Sequence, residues 1–373
     1  MSGTIIRLAA ADFGEAMDLL NYAFSYNHGG HAFPTLLPKI YRPTDELMRC
    51  NYAIRRDGRL VAAVGVFPLT WHVGGATLRV AAIGGVSTHP RFRGRGLMST
   101  LMTHCVEEIR TAGYPLSWLS GMRRRYRHFG YEQCGSELLF TLKREDLRAA
   151  GIDGTGIEFR RLTGDDPLLA HAQRLHAAQP VRCERPAAEF VTICSSWNNC
   201  PYAAVVGNEL AGYLIAGEDG SRVTELVAAD APATLRIAAA WCAHRDIAEV
   251  TIAVSPANTD LARGLDATAE ATAVRFADSW QVFDWPSVLT ALLRERVRSG
   301  EAEPGSLVLQ IGKTERLRLT VDGTRAGAVP TDEEADSTMD EIAAMRALFG
   351  PLQPPLPVSW FPLPAHIPHA DRV

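Results

Sequence analysis

The sequence predicts an α/β chain made of two similar modules and a smaller α+β module. Strand-like and helix-like runs alternate through all 373 residues. A unit of hairpin, third strand, helix and fourth strand spans residues 52–119 and recurs more faintly at 203–254. Because hairpin turns join its first strands, the unit predicts a mostly antiparallel sheet, unlike a doubly wound parallel fold.

Composition places the chain among ordinary globular proteins. Apolar residues make up 47%, charged residues 21%, and 38 Lys+Arg against 42 Asp+Glu give a net charge of -4. This balance favours no role with nucleic acid or a membrane surface. No apolar run reaches the roughly 18 residues of a membrane span, and no leader is visible. The 7 cysteines form no Cys-x-x-Cys pair, so we expect reduced thiols and a cytoplasmic location.

The first unit is predicted from its periodicities and turn residues. Its helix-one start has Asp12 and Glu15 at capping-box spacing. The turn Asp57-Gly58 predicts a hairpin, and Gly113 is expected to end the second helix. The predicted elements are, in order, a strand at 4–8, a helix at 12–24, strands at 52–57, 60–72 and 77–88, a helix from 97, and a strand at 116–119.

The rest of the chain repeats the unit and then changes character. In the second copy the loop after the third strand, Ala228-Ala-Asp-Ala-Pro-Ala233, has neither glycine nor arginine, so we expect its site to be lost. The predicted elements are strands at 203–206, 210–216 and 222–228, a helix at 232–244, a strand at 249–254, a helix from 285, strands at 306–311 and 316–322, and a helix at 338–348.

The strongest chemical signal is the loop Arg91-x-Arg93-Gly94-Arg95-Gly96 between a strand and a helix. A helix N-terminus offers amides without partners, glycines allow close approach, and arginines add charge-assisted hydrogen bonds. Two interpretations of the loop alone carry equal weight, a pyrophosphate cradle and a basic helix cap with two turn glycines. Ser99 stands where a dinucleotide fingerprint has its third glycine, and Gly-Lys-Ser/Thr of a P-loop is missing.

These residues resemble a known family. Val86-Ser-Thr-His-Pro-Arg-Phe-Arg-Gly-Arg-Gly-Leu-Met98 resembles motif A of the Gcn5-related N-acetyltransferase superfamily, and Tyr126-Arg-His-Phe-Gly-Tyr131 resembles a later motif. The tandem arrangement resembles the enhanced-intracellular-survival-type acetyltransferases, which carry a C-terminal sterol-carrier-like domain. The resemblance implies a cofactor-binding acetyltransferase module at 1–150, a second, degenerate acetyltransferase-like module at 151–285, and a sterol-carrier-like α+β domain at 286–373 whose C-terminus reaches the active site.

The resemblance also implies roles for individual residues. The backbone of Val86, Ser87 and Thr88 pairs with the pantetheine arm of coenzyme A, and Tyr126 is the general acid. The carboxylate of Val373 assists the base step. The remaining implied cofactor contacts are the pyrophosphate-binding residues Arg93, Gly94, Arg95, Gly96, Leu97 and Met98, and Gly121 and Met122 at the cofactor's end.

The chemistry of acyl transfer suits these residue types. The reaction needs a neutral amine, a polarised carbonyl and a proton for the departing sulfur. A tyrosine with a pKa near about 10 stays protonated at neutral pH and can donate. A terminal carboxylate, with a pKa of about 3.5, is a weak base, so we expect it to orient the amine unless burial raises its pKa.

Two further groups of residues carry more than one interpretation. Tyr26, His28, His31 and Phe33 follow the first helix and are candidates for an amine pocket, or for a structural loop with packed aromatics. No ligand spacing accompanies the two histidines, so no metal is expected. The run Arg123-Arg-Arg125 departs from the small residues typical of the family. It clamps cofactor phosphates, selects an acidic substrate, or faces solvent.

The sequence therefore predicts an acyl-CoA-dependent N-acyltransferase, with acetyl-CoA as the expected co-substrate and a small-molecule or peptide amine as acceptor. The family resemblance further implies a homo-oligomer. Two alternatives stay open, a non-catalytic coenzyme A-binding or regulatory protein and an O-acyltransferase on the same fold. Thiol release separates the first from an enzyme, and the product's mass separates an amide from an ester.

Overall fold

The computed structural model describes residues 4–313, 315–352 and 356–373. The first part of the chain forms β1 (Ile5–Arg7), α1 (Phe13–His28), α2 (Phe33–Leu36), α3 (Asp45–Met48), β2 (Asn51–Arg56), β3 (Arg59–Val73), β4 (Ala76–Thr88), α4 (Leu97–Thr111), β5 (Leu116–Leu119), α5 (Arg123–Tyr126), β6 (Glu132–Gln133) and β7 (Ser136–Lys143).

The middle and last parts add the remaining elements. The middle forms α6 (Arg144–Ala149), β8 (Ile157–Arg161), α7 (Leu169–Ala177), β9 (Arg182–Cys183), α8 (Phe190–Cys194), β10 (Cys200–Val206), β11 (Glu209–Ala216), β12 (Arg222–Ala228), α9 (Ala231–Arg245), β13 (Glu249–Val254), α10 (Thr259–Asp266), β14 (Ala271–Phe276) and β15 (Ser279–Val282). The last part forms α11 (Trp285–Arg298), β16 (Gly305–Ile311), β17 (Glu315–Asp322), β18 (Arg325–Pro330), β19 (Ser337–Met339) and α12 (Glu341–Phe349).

The strands form three sheets, and the predicted repeat is confirmed. The first sheet has the order β1-β2-β3-β4-β5-β15-β6, with β9 also paired to β3. The second has the order β14-β7-β13-β12-β11-β10-β8, and the third β18-β17-β16-β19. In both large sheets an antiparallel meander (β2-β3-β4 or β10-β11-β12) leads through one helix to a parallel neighbour, β5 or β13. Among the described helices, none is long and apolar enough to cross a membrane.

The two large sheets exchange strands. β7 follows the first unit in sequence but pairs with β13 and β14 in the second sheet. β15, which follows the second unit, pairs with β5 and β6 in the first sheet. The two sheets are therefore joined by strands as well as by a linker. The division into domains at 150 and 285, and the likeness of the last domain to sterol carriers, stay predictions.

Alternation along the strands distributes the first sheet's side chains between two cores. Ala81 and Ile83 of β4 belong to the apolar cluster that contains Leu101 of α4. Val80 and Ala82 belong to a larger cluster on the other face, which also contains residues of α1, α11 and the third sheet. One face of the first sheet thus carries α4, and the other carries α1 and the last module.

The predicted capping box at the start of α1 is wrong. Asp12 has a helical backbone conformation and makes no side-chain cap bond to α1; its carboxylate accepts from the N–H of Ala9, ahead of the helix, at 2.9 Å. Asp12 and Glu15 instead form ion pairs with Arg55 of β2, at 2.9 and 2.6 Å. The backbone N–H of Leu60 also donates to Glu15 at 2.8 Å. The local spacing predicted that these two carboxylates cap the start of α1. They pair instead with Arg55, which lies on β2.

A buried arginine, Arg185, joins the second sheet to the last residues of the chain. Its side chain is 0% exposed and donates to both carboxylate oxygens of Glu225 on β12, at 2.8 and 2.7 Å. It also donates to both oxygens of Asp371, at 3.0 and 2.8 Å. Burial alone would raise the pKa of Glu225, but Arg185 lowers it from 4.5 to about 2.

This lowered pKa predicts a pH-dependent stability. A carboxylate whose pKa is lowered by folding stabilises the folded protein at pH values above its unfolded-state pKa, here 4.5. This stabilisation is lost as the pH falls towards the folded-state pKa of about 2. The contribution is on the order of 3 kcal/mol. We expect Glu225→Gln to lower the melting temperature most at neutral pH, and the difference from wild type to shrink below pH 4.5. Thermal melts between neutral pH and about pH 3 measure it.

The control for this prediction is Asp260→Asn, because the Asp260 side chain is 98% exposed. Its melting temperature should follow that of the wild type at every pH. An equal offset between Glu225→Gln and wild type at all pH values would show that the ionisation of Glu225 contributes nothing to stability.

Candidate active site

Strands β4 and β5 form a fork. They pair in parallel from Val80 with Leu116 to Ile83 with Leu119, and the pairing ends there. β4 continues to Thr88, still bonded to β3 on its other side. The edge of Gly84–Thr88 that faces β5 therefore carries backbone groups without a strand partner. An unpaired backbone edge is suited to an extended polar ligand, which can bind as an added strand does. The hydroxyls of Ser87 and Thr88 are also buried without a hydrogen-bond partner among the described residues.

Two glycines stand where the fork opens. A Cβ on Gly84 would lie 3.1 Å from the carboxyl carbon and from Cγ2 of Val373, which is 7% exposed. A Cβ on Gly85 would collide with the hydroxyl of Tyr41, which is buried without a partner. Gly84, Gly85 and Tyr41 were not predicted from the sequence. The sequence feature that could have identified the two glycines is their pairing inside a strand, since such glycines mark the close approach of a ligand or a backbone.

The loop after β4 presents free amides at the start of α4. Gly94 and Gly96 have φ of 76° and 74°, and a Cβ on either would meet no atom within 4 Å. Gly96 is the N-cap of α4, and no side chain caps the helix. Among the described residues, no side chain satisfies the first amides of this 15-residue helix, and amides in that position can bind an anion. This is the arrangement expected of a pyrophosphate cradle.

Aromatic rings hold the arginines of this loop. The guanidinium of Arg93 lies 5.1 Å from the ring centre of Tyr26 and donates to the carbonyl of Ala23 at 3.5 Å. The guanidinium of Arg95 lies 5.1 Å from the ring centre of Phe92. Tyr26, which was predicted for the acceptor pocket, is 62% exposed and lies beside the loop. Its acceptor role stays a prediction.

Tyr126 lies at the end of the short helix α5 and is 5% exposed. It belongs to the apolar cluster that contains Leu97 of α4 and Leu119 of β5. A side chain at Gly121 would collide with its ring, so Gly121 makes room for it, while Met122 is 59% exposed. Burial raises the pKa of Tyr126 above 10.0, and Arg125 opposes this only in part. The phenol is therefore protonated at neutral pH and can donate.

The other predicted acceptor residues lie in and after the end of α1. The backbone N–H of His31 donates to Ser25 at 2.8 Å, and that of Phe33 donates to Asn21 at 2.9 Å, so α1 fixes this loop. Phe33 is 2% exposed and packs against Phe24 and Tyr41. The side chain of His28 lies outside what the structure describes. The acceptor roles of these residues stay predictions.

The arginine run after Met122 is divided between two environments. Arg123 and Arg127 bind Glu132, whose side chain is 0% exposed, and Arg346 of α12 lies 3.7 Å from the same carboxylate. Burial disfavours the charge of Glu132, but Arg123, the N–H of Gln133 and Arg127 keep its pKa below the usual range. Arg124 and Arg125 are exposed. Arg123 is thus paired with a buried carboxylate, which none of the three sequence interpretations included.

The second module has the same strand arrangement with a different helix start. β12 and β13 pair only from Arg222 with Thr251 to Val223 with Ile252, and then separate. The helix that follows β12 is capped by Asp230, whose carboxylate accepts from the N–H of Ala233 at 2.8 Å. Because this negatively charged carboxylate already accepts from an amide at the start of α9, it would repel a phosphate group there. Within the described residues no cluster of His, Cys, Asp and Glu could hold a metal ion.

Comparison with known proteins agrees with this geometry. Residues 4–134 match the acetyltransferase (GNAT) domain family, and no curated protein sequence matches the chain. A GCN5-related N-acetyltransferase from Kribbella flavida superposes with a TM-score of 0.66 at 21% identity, and Eis1 from Mycobacterium abscessus with 0.62 at 17%. Each comparison covers 93% of this chain and 90% of the other. The expected resemblance and the predicted tandem α/β fold are confirmed.

Proposed function

We propose that the protein, whose residues 4–134 match the acetyltransferase (GNAT) domain family, is an acyl-CoA-dependent N-acyltransferase. Its expected donor is acetyl-CoA, and its acceptor is the amine of a small molecule or peptide. The observation that carries the proposal is the fork. An unpaired strand edge at Gly84–Thr88 leads directly into the uncapped start of α4.

The residues at the fork suit coenzyme A. Its pantetheine arm carries amides that can pair with the backbone of Val86, Ser87 and Thr88 as an added strand does. The pyrophosphate would accept hydrogen bonds from the amides of residues 94–98, beside the guanidinium groups of Arg93 and Arg95. The N–H of Arg93 already donates to the carbonyl of Pro90 at 3.3 Å.

The proposed reaction needs no covalent enzyme intermediate. The amine nitrogen attacks the thioester carbonyl, and the resulting tetrahedral intermediate expels the coenzyme A thiolate. Tyr126 gives its phenolic proton to the sulfur as the C–S bond breaks, and solvent restores it. The nitrogen loses one proton to the carboxylate of Val373, directly or through a water that the carboxylate orients, and solvent then takes this proton. The buried phenol supports the acid step because it keeps its proton at neutral pH.

Binding and turnover test this proposal. We expect titration calorimetry to detect acetyl-CoA binding with a Kd below about 1 mM, and thiol release to depend on an added amine. The panel should hold aminoglycosides, amino sugars, lysine and peptides, and a series of acyl-CoA chain lengths. Mass spectrometry should find an amide. Binding without thiol release would support a non-catalytic protein, an ester product an O-acyltransferase, and no binding would contradict the proposal.

The role of Val373 yields a separate prediction. Two glycines appended after Val373 move the carboxyl group away from Gly84 while the fork and the α4 amides stay intact. We expect kcat to fall about 100-fold or more, within the range of a proton-transfer group, and the Kd of acetyl-CoA to stay within about twofold. The same two glycines placed before Met1 are the control. An unchanged kcat would exclude the carboxyl group from the base step.

A further inference from the structure

The last four residues of the chain cross from one core to another. Ala370 belongs to the apolar cluster of the second sheet, with Phe190 and Tyr213. Val373 belongs to the cluster of the first sheet, with Leu20 of α1 and Ala82 of β4. We call residues 366–373 the tail. Its position decides how Val373 lies against Gly84 at the fork.

Arg185 is the strongest contact of the tail with the second module. Its guanidinium lies between two carboxylates and donates two hydrogen bonds to each, to Glu225 on β12 and to Asp371 of the tail. Tyr213 completes the group by donating to Glu225 at 2.6 Å. Because a guanidinium has five donors in a fixed plane and an ammonium has three on one atom, a lysine cannot reproduce this double fork.

Other contacts fix the residues on either side of Asp371. The side chain of Lys39, in the segment that follows α2, donates to the carbonyl of Ala370. The indole of Trp197 donates to the carbonyl of Arg372 at 3.2 Å, and Arg372 itself binds Glu137 at 2.8 Å. Trp197 and Asn198 both have positive φ, 62° and 58°. Two adjacent non-glycine residues in this strained conformation indicate a loop that its surroundings hold in place.

We propose that Arg185 is a positioning residue for the acyl-transfer reaction. It acts through Asp371, two residues before Val373, and sets the place of Val373 at the fork. The second module, whose own helix start is capped by Asp230, thereby takes part in catalysis by the first module. This inference rests on the proposed function. It adds that the reaction depends on an ion pair between the second module and the tail.

Asp371→Asn and Arg185→Lys test the proposal in the full chain, with acetyl-CoA and the best amine of the panel. Both keep a polar group in place, whereas Arg185→Ala would leave two carboxylates buried and is prone to unfold. We expect kcat to fall about tenfold, as for a displaced proton-transfer group, with the Kd of acetyl-CoA within about twofold. Hydrogen exchange of residues 366–373 should become faster in both variants.

A third variant separates positioning from general destabilisation. In a chain that stops after Arg372, kcat should already be low. Adding Asp371→Asn should lower kcat no further, because the ion pair of Arg185 with Asp371 then has no Val373 to position. If Asp371 only stabilised the fold, Asp371→Asn would lower kcat further in the truncated chain. Asp260→Asn is the control for an exposed acid, with kcat and exchange like wild type.

The outcomes distinguish the two proposals. If truncation lowers kcat and Asp371→Asn leaves both kcat and tail exchange unchanged, the role of Arg185 is overturned and the proposed function stands. Additive losses in the double variant also overturn the positioning role. If the wild type neither binds acetyl-CoA nor releases thiol, the proposed function fails first, and the inference fails with it.

Discussion

Tyr126→Phe is expected to lower kcat by about 100-fold or more at saturating acetyl-CoA, because the thiolate then leaves without a proton donor. The change removes one oxygen from a residue that is 5% exposed and leaves the ring against Gly121. Acetyl-CoA binding, measured by calorimetry, should therefore be nearly unchanged. Steady-state thiol release across pH supplies the second readout. Since the pKa of Tyr126 lies above 10.0, its phenol should stay protonated below that pH, and thiol release by the wild type should not fall for lack of a proton donor.

Tyr131→Phe is the matched control for this prediction. Tyr131 is also buried in the α4 cluster, and its hydroxyl hydrogen-bonds with Ser117 at 2.6 Å. Loss of that hydrogen bond should lower stability by about 1 kcal/mol and leave kcat within about threefold. If Tyr126→Phe kept wild-type turnover, or lost no more than Tyr131→Phe, the acid would have to be another group or water.

Gly94→Trp is expected to weaken acetyl-CoA binding by about 100-fold or more, since it removes several charge-assisted hydrogen bonds at once. A Cβ on Gly94 would meet no atom within 4 Å, so the indole fills the space in front of the α4 amides without disturbing a core. The positive φ of 76° adds strain to any side chain placed there. Calorimetry with acetyl-CoA and, separately, with coenzyme A measures the loss.

Gly113→Trp is an unusually close control. Gly113 follows the other end of α4 and has φ of 69°, and a Cβ on it would likewise meet no atom within 4 Å. The two variants should lose similar amounts of stability, about 1–2 kcal/mol, in thermal melts. Only Gly94→Trp should lose acetyl-CoA binding. Equal binding by both variants would mean that the pyrophosphate does not lie at the start of α4.

Local patterns were sufficient to predict the repeated unit. The hairpin at Asp57-Gly58, the helix from Leu97 and the strand at Leu116–Leu119 depend on residues a few positions apart, and all three lie where the sequence predicts them. The glycine–arginine loop is also local, because a helix start and its preceding turn are contiguous in the chain. The local prediction was wrong at Asp12 and Glu15, where the partner, Arg55, comes from another strand.

Pairing between distant segments was decided by the tertiary structure alone. The sequence marks residues 136–143 and 279–282 with no sign that each strand joins the other module's sheet. A strand's pattern determines which of its faces is buried, and many edges satisfy that requirement equally well. Likewise, nothing in the sequence distinguishes Arg185 from the other arginines. Only the fold places Glu225 and Asp371 beside it.

By itself, the sequence determined the tandem architecture, the glycine–arginine turn proposed to bind an anion before α4, and the tyrosine expected to act as acid. The tertiary structure decided the path of the tail, the contact of Val373 with Gly84 and the burial of Tyr126. The physical reason is the range of the interactions. Backbone conformation and helix capping depend mainly on near neighbours, whereas burial and ion pairing depend on which remote segments the whole fold packs together.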